Sequence, residues 1–259
     1  MLIYLMRYFI YIAYLGKAYS GWQVQKNALA VQQVVEEALG KVLSMPITIS
    51  GSSRTDKGVH AQQQVAHFDL IRAIDPSDLI YRLNRILPSD ISITAIRPVI
   101  DGAHARFDAS YRTYHYTIVI KKNPFYKDHA LWLCRMPPLV LLNEITTLFC
   151  LTTDFEFFSK KADTDFQKNA HGFVCDVKEA NWLQIDQSVI FQIKANRFLR
   201  GMVRVIVSTI LKVAIGKMDL AALAGLIREK PPIRPILSLM PAHGLTLMEV
   251  GYPETLFIP

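Results

Sequence analysis

Apolar positions recur along this chain with two periods, close to 2 and close to 3.6. Arg7 to Tyr14 is rich in aromatic and β-branched residues at period two, which predicts a central strand. From Ala28 to Val42 the apolar residues Val31, Val34, Val35, Ala38, Leu39 and Val42 recur at helical spacing. Two short runs, Ile47 to Ser50 and Gln64 to Phe68, predict strands on either side of a loop. Asp75-Pro76-Ser77-Asp78 opens a second helix with proline in its first turn, running to about Leu87, where Pro88 stops it. Ile91 to Ile96 alternates as a strand does. The order is β-α-β-β-α-β, the ferredoxin-like or RRM-like arrangement of an antiparallel sheet with two helices on one face. The open face of such a sheet often holds single-stranded RNA.

The second half has the same outline. Tyr111 to Lys121 predicts a long strand, and residues 121 to 138 a loop or insertion. A helix follows from Leu139 to Cys150, and the polar stretch 160 to 172 is expected to be mobile. Phe173 to Ala195 predicts two strands with a turn near Asp186-Gln187-Ser188. Helices follow at Arg197 to Ile215, ended by Gly216, and at Leu220 to Arg228; Leu245 to Tyr252 is a last strand. The expectation is an α+β protein of two domains, 1–108 and 109–259, whose sheets join around a central basic cleft.

Composition narrows the function classes. The chain has 259 residues, 51% of them apolar and 20% charged, which is globular composition. A formal charge of +7 fits a polyanionic partner, although no run of five Lys or Arg occurs. Cys134, Cys150 and Cys175 are odd in number and form no Cys-x-x-Cys pair, so neither a disulfide framework nor a zinc site is suggested. No metal-ligand spacing and no cofactor motif is present. The apolar start of the chain is interrupted by Arg7, no small-residue cleavage site follows, and it is too short to span a bilayer. The expected location is the cytoplasm.

Three places could carry chemistry. The first is the loop Gly51-Ser52-Ser53-Arg54-Thr55-Asp56-Lys57-Gly58-Val59-His60-Ala61. It sets one carboxylate, Asp56, among three potential cations, the setting of a nucleophile or a ligand; the plainer reading is an ordinary turn. The second is the helix expected from Arg197. At 100° per residue Arg197, Gly201, Arg204 and Ser208 share a narrow stripe with Arg200 beside it, on a helix otherwise apolar. Such a stripe faces an anion or water, and an arginine there could grip a carboxylate or RNA phosphates. The third is the strand face Arg112, Tyr114, Tyr116, Ile118, Ile120, which grades from a cation through aromatics into core. Tyr114 at that junction can stack on a base and move a proton, or be a core tyrosine with a bonded hydroxyl.

These pieces together resemble the tRNA pseudouridine synthase A family. The matching segments are Tyr14-Leu15-Gly16 with Tyr19-Ser20-Gly21-Trp22-Gln23, and Arg54-Thr55-Asp56 with Gly58-Val59-His60-Ala61. Others are Leu83-Asn84, Leu87-Pro88 and Asp90-Ile91, then Ala105-Arg106-Phe107-Asp108-Ala109 with Arg112 and Tyr114-His115-Tyr116. Later come Asp154-Phe155, Phe158, Ala195-Asn196, Phe198-Leu199, Met202-Val203-Arg204 and Gly244-Leu245. The resemblance implies an isomerase that converts uridine to pseudouridine at positions 38 to 40 of the tRNA anticodon arm, without cofactor or metal, as a homodimer. It implies that Asp56 is the nucleophile, that Tyr114 stacks on the target base, and that Arg204 pairs with the catalytic aspartate. It further implies that Arg54 holds flipped RNA open and that Leu245 walls the base pocket. The chain departs from the family pattern at Ser52-Ser53, where Ala-Gly is usual, at Lys57, where a small residue is usual, and in lacking an arginine between Ser159 and Cys175. Other readings of the residues are a non-catalytic RNA-binding module, an aspartate-nucleophile hydrolase, and a synthase with another RNA target.

Overall fold

A computed structural model describes residues 5–160, 172–229 and 237–258. The stretch 160–172, expected to be mobile, lies almost wholly outside the described residues. In chain order the elements are β1 (Met6–Tyr14), α1 (Val31–Leu43), β2 (Ser50–Gly51), β3 (His60–Leu70), α2 (Pro76–Ile86), β4 (Ile91–Val99) and β5 (Tyr111–Val119). Then come β6 (Leu131–Trp132), α3 (Leu139–Cys150), β7 (Val177–Ile185), β8 (Ser188–Ala195), α4 (Met202–Ala214), α5 (Leu220–Arg228) and β9 (Leu245–Gly251). The class is α+β, with pairing that is mostly antiparallel. The chain divides into two units, residues 1–111 with 246–259, and residues 112–245.

In the first unit β1 lies between β3 and β4, antiparallel to both, with Ile10 opposite Ala66 on one side and Ile96 on the other. The other edge of β3 is shared. β2 pairs antiparallel at its far end (Ser50 opposite His67), and β9 pairs parallel at its start (His60 opposite Thr246). Phe9, Ile10, Ile12, Val65, Ala66 and Phe68 are buried. Val35 and Leu39 of α1 are buried too, as the helical spacing predicts, and so are Leu79 and Leu83 of α2. The Asp75 carboxylate caps α2 by accepting from Ser77 N–H at 2.8 Å, and Pro76 stands at its first position. Asn84 clamps this helix to β4, donating to Ile93 C=O at 2.9 Å and accepting from Ile93 N–H at 2.8 Å. Residues 254–258 run along the outer edge of β4. Ile100 N–H donates to Leu256 C=O, Ile258 N–H donates to Pro98 C=O, and the Arg97 guanidinium lies 3.5 Å from the Phe257 ring centre.

The second unit has the antiparallel order β5-β8-β7, with Tyr114 opposite Ile193, and the short β6 parallel to β5. Tyr116, Ile118, Phe191 and Ile193 of these strands are buried, as are Leu142, Ile145 and Phe149 of α3 and Val205, Ile206 and Ile210 of α4. Asn143 plays the clamp's part here, bonded to both backbone groups of Trp182 at 2.7 and 3.1 Å.

Several expectations need correction. The last strand, from Thr246 on, belongs to the first unit and not with residues 109–245. The helix expected from Arg197 begins only at Met202, because Gly201 has φ +70°, a left-handed conformation that no helix continues through. Arg197 and Arg200 therefore precede the helix, and the stripe is not a helical face. The expected loop 51–61 is shorter, since His60 and Ala61 already belong to β3. Ile120 is exposed and lies beyond the end of β5, not in the core. Among the described residues no helix is long and apolar enough to cross a membrane.

Candidate active site

The loop from Ser52 to Val59 is held from one side and open on the other. Ser52 is 2% exposed and its hydroxyl donates to Gln64 Oε1 at 2.7 Å. Gln64 in turn donates from Nε2 to Ser53 C=O at 2.9 Å. Thr55 is buried, and its hydroxyl meets that of Tyr14 at 2.8 Å. His60 is buried, and its Nδ1 accepts from Gly16 N–H at 3.0 Å, which places the proton of the neutral ring on Nε2. Val59 N–H donates to Asp56 C=O at 3.1 Å across Gly58, whose φ is +80°. Arg54 and Lys57 are exposed, and Asp56 is half-buried. The loop thus alternates anchored residues with presented ones.

Its foundation is the segment after β1. Trp22 N–H donates to Thr55 C=O at 3.2 Å. A β-carbon at Gly21 would overlap the Thr55 carbonyl oxygen, and one at Gly16 would overlap that of Val59. Both glycines are places where two backbones touch. Tyr14, Trp22 and Gln64 are supports that the sequence reading did not assign. The signal lay in Gly16 and Gly21, which can be read as ordinary turn residues. Ser52, a departure from the family pattern, is one of the anchors.

In the second unit Tyr114 stands on β5 with only 6% exposure, and the Phe198 ring meets it edge-on with centroids 5.0 Å apart. A base that stacks there must displace part of what covers the ring. Arg112 is buried and donates to Asn196 C=O at 2.7 Å. Arg204, in the first turn of α4, donates from Nε to Met240 C=O at 2.7 Å, and its own C=O accepts from Met240 N–H at 3.3 Å. Beside it the Tyr116 phenol is raised well above the usual range by burial, and it donates to Pro241 C=O at 2.9 Å. Burial also pushes the Cys175 thiol up to about 11, against the pull of Arg197. Arg197 is half-buried and Arg200 exposed, both on the turn before α4. Leu245 is buried at the start of β9. Arg54 and Asp56 thus share one loop of the first unit. Tyr114, Arg197, Arg200, Arg204 and Leu245 belong to the second. Among the described residues no group of three or more His, Cys, Asp or Glu side chains is placed to hold a metal ion.

The profile of the tRNA pseudouridine synthase family matches residues 10–108 and 152–253, well over half of the chain. The chain belongs to this family. The tRNA pseudouridine synthase A of Porphyromonas gingivalis is 43% identical, over 97% of this chain and 99% of its own length. The protein of the same name from Parabacteroides distasonis is 42% identical, over 97% of this chain and 98% of its own. That of Chlorobaculum tepidum is 36% identical over 93% and 96%. As a tRNA pseudouridine synthase, the chain carries Arg54, Asp56, Arg204 and Leu245 within the matched segments, while Tyr114 lies between them.

Proposed function

We propose that this synthase isomerises uridine to pseudouridine at positions 38 to 40 of the tRNA anticodon arm, with Asp56 as the nucleophile. The observation that carries the reading is the Asp56 loop, in which Ser52, Thr55 and His60 are fastened inward while Asp56 stays accessible. Such fixing keeps a reacting group in one geometry, which is worth more than proximity alone. The net reaction breaks the C1′–N1 bond, forms C1′–C5, and exchanges the proton of C5 for one at N1. An aspartate can open it by attack on ribose C1′ or by addition to the uracil ring, and either course ends in the same product.

The other residues take the parts that family membership suggests. A base within a stem must first be extruded, at a cost of a few kcal/mol. Arg54 would hold the RNA open, and stacking on Tyr114 would return about 1–3 kcal/mol. Tyr114 also serves in proton removal, Arg204 supplies the fixed cation for the catalytic carboxylate, and Leu245 walls the base. Arg197 and Arg200 neutralise phosphates from the turn before α4. The proposed assembly is a homodimer gripping one tRNA, in the cytoplasm.

The test is tritium release from an unmodified tRNA transcript labelled at uridine C5, with wild type and Asp56→Asn. Release by wild type alone supports the reading. Binding without release by either protein would reduce the chain to an RNA-binding module for this substrate.

A further inference from the structure

The segment Ala105-Arg106-Phe107-Asp108-Ala109 takes no part in the chemistry above, yet its turn is densely hydrogen-bonded. Asp108 accepts from His104 N–H at 2.7 Å, and His104 C=O accepts from Asp108 N–H at 3.1 Å. His104 Nδ1 accepts from Arg106 N–H at 3.0 Å, and His67 Nδ1 accepts from Ala105 N–H at 3.1 Å. Arg7 donates to Ala103 C=O at 2.9 Å and Tyr252 donates to Ala105 C=O at 2.6 Å. What this scaffold presents is Phe107, 73% exposed. Leaving so much of a phenylalanine in water forgoes the stabilisation that burying it would bring.

The ring is not isolated. It packs on His104 with centroids 4.2 Å apart, and His104 rests on His67 at 4.5 Å. The Arg106 guanidinium stands 5.6 Å from the Phe107 centre. An aromatic ring whose backbone is already immobilised, with a cation at its side, matches what single-stranded nucleic acid uses: a π-face for a base and a positive charge for its phosphate.

We propose that Phe107, with Arg106, is a stacking site for an unpaired base of the bound tRNA, distinct from the target uridine. The proposal rests on the reading of tRNA as substrate. The cation at the ring favours a polyanion over a second copy of this chain at this patch. Asp56 and Tyr114 handle the reacting nucleotide, so the Phe107 platform adds affinity and register.

The experiment measures binding of an unmodified tRNA transcript across a salt series for wild type, Phe107→Ala, Phe107→Tyr and Arg106→Ala. Thermal unfolding and light-scattering mass are measured on each. Phe107→Ala is expected to weaken binding roughly 5- to 100-fold with the salt slope unchanged, because stacking releases no counterions. Phe107→Tyr should restore most of it, and Arg106→Ala should reduce the slope by about 1. Wild-type affinity in Phe107→Ala overturns the proposal. So does a weakening that follows a fall in molecular mass, which would assign the ring to contact between copies. Tritium release by wild type, run alongside, separates the two readings. Its absence counts against Asp56 chemistry, whereas an insensitive Phe107→Ala counts against the stacking site.

Discussion

The hydroxyls of Tyr14 and Thr55 meet at 2.8 Å in the interior of the first unit, one residue before Asp56. This contact ties the Asp56 loop to the end of β1. Tyr14→Phe removes it and is expected to cost about 1–3 kcal/mol locally, since a buried hydroxyl loses its partner. The rate of tritium release should fall at least about tenfold while tRNA affinity changes little. Combining Tyr14→Phe with Thr55→Val should cost less than the sum of the two, as for any coupled pair. Additive losses would show that the contact does not hold the loop.

Gly21 and Gly216 offer a paired test of why a glycine is needed. Both have positive φ, +92° and +71°. Nothing lies within 4 Å of a β-carbon at Gly216, whereas one at Gly21 would overlap the Thr55 carbonyl. Gly216→Ala should cost about 1–2 kcal/mol in urea unfolding, the strain of a left-handed residue. Gly21→Ala should cost more and abolish tritium release, because the loop must shift.

How far the sequence discloses this site depends on the kind of contact. Period-two and period-3.6 patterns register burial, so α3 is predicted at its observed bounds and β1 within one residue. They register backbone geometry poorly. Phe198 and Leu199 continue the apolar spacing of α4, yet Gly201 turns left-handed and puts Arg197 and Arg200 outside the helix. The Arg-Thr-Asp string marks the loop, but its supports at Tyr14, Trp22 and Gln64 come from elsewhere in the chain and show no local pattern. Only Gly16 and Gly21, where the segment after β1 touches the loop, hint at them.

Acid should loosen the Phe107 turn before it unfolds much else. Burial and the neighbouring His104 and Arg7 lower His67 to about 4, against the smaller opposing pull of Asp69 and Asp108. His104 is lowered too, first by burial and then by Arg7. Both rings accept backbone N–H bonds as neutral imidazoles. The unfolded chain binds these protons near pH 6.5 and the folded chain only below it. Stability is therefore full above pH 6.5 and falls as pH drops towards 4, by on the order of 2–3 kcal/mol from His67. Urea unfolding at pH 7, 5.5 and 4.5 should show this slope, and His67→Gln should flatten it.

Arg204→Lys keeps the charge but loses the planar fork that bonds Met240 C=O through Nε. Its unfolding free energy should change by only about 0.5–1.5 kcal/mol. Tritium release should drop at least about 100-fold if Arg204 serves as the fixed cation for Asp56 in the proposed reaction. A lysine variant with full activity would remove Arg204 from that role.

The segment lying along β4 also matters during synthesis. Residues 246–258 supply β9 and the strip that bonds Ile100 and Pro98, yet the ribosome makes them more than a hundred residues after β4. Until they emerge, the nascent first unit carries an open strand edge and an unfilled place beside His60. Completion of its sheet thus waits on translation of the intervening residues 112–245, and a fragment ending at Tyr111 should sediment more readily than the whole chain.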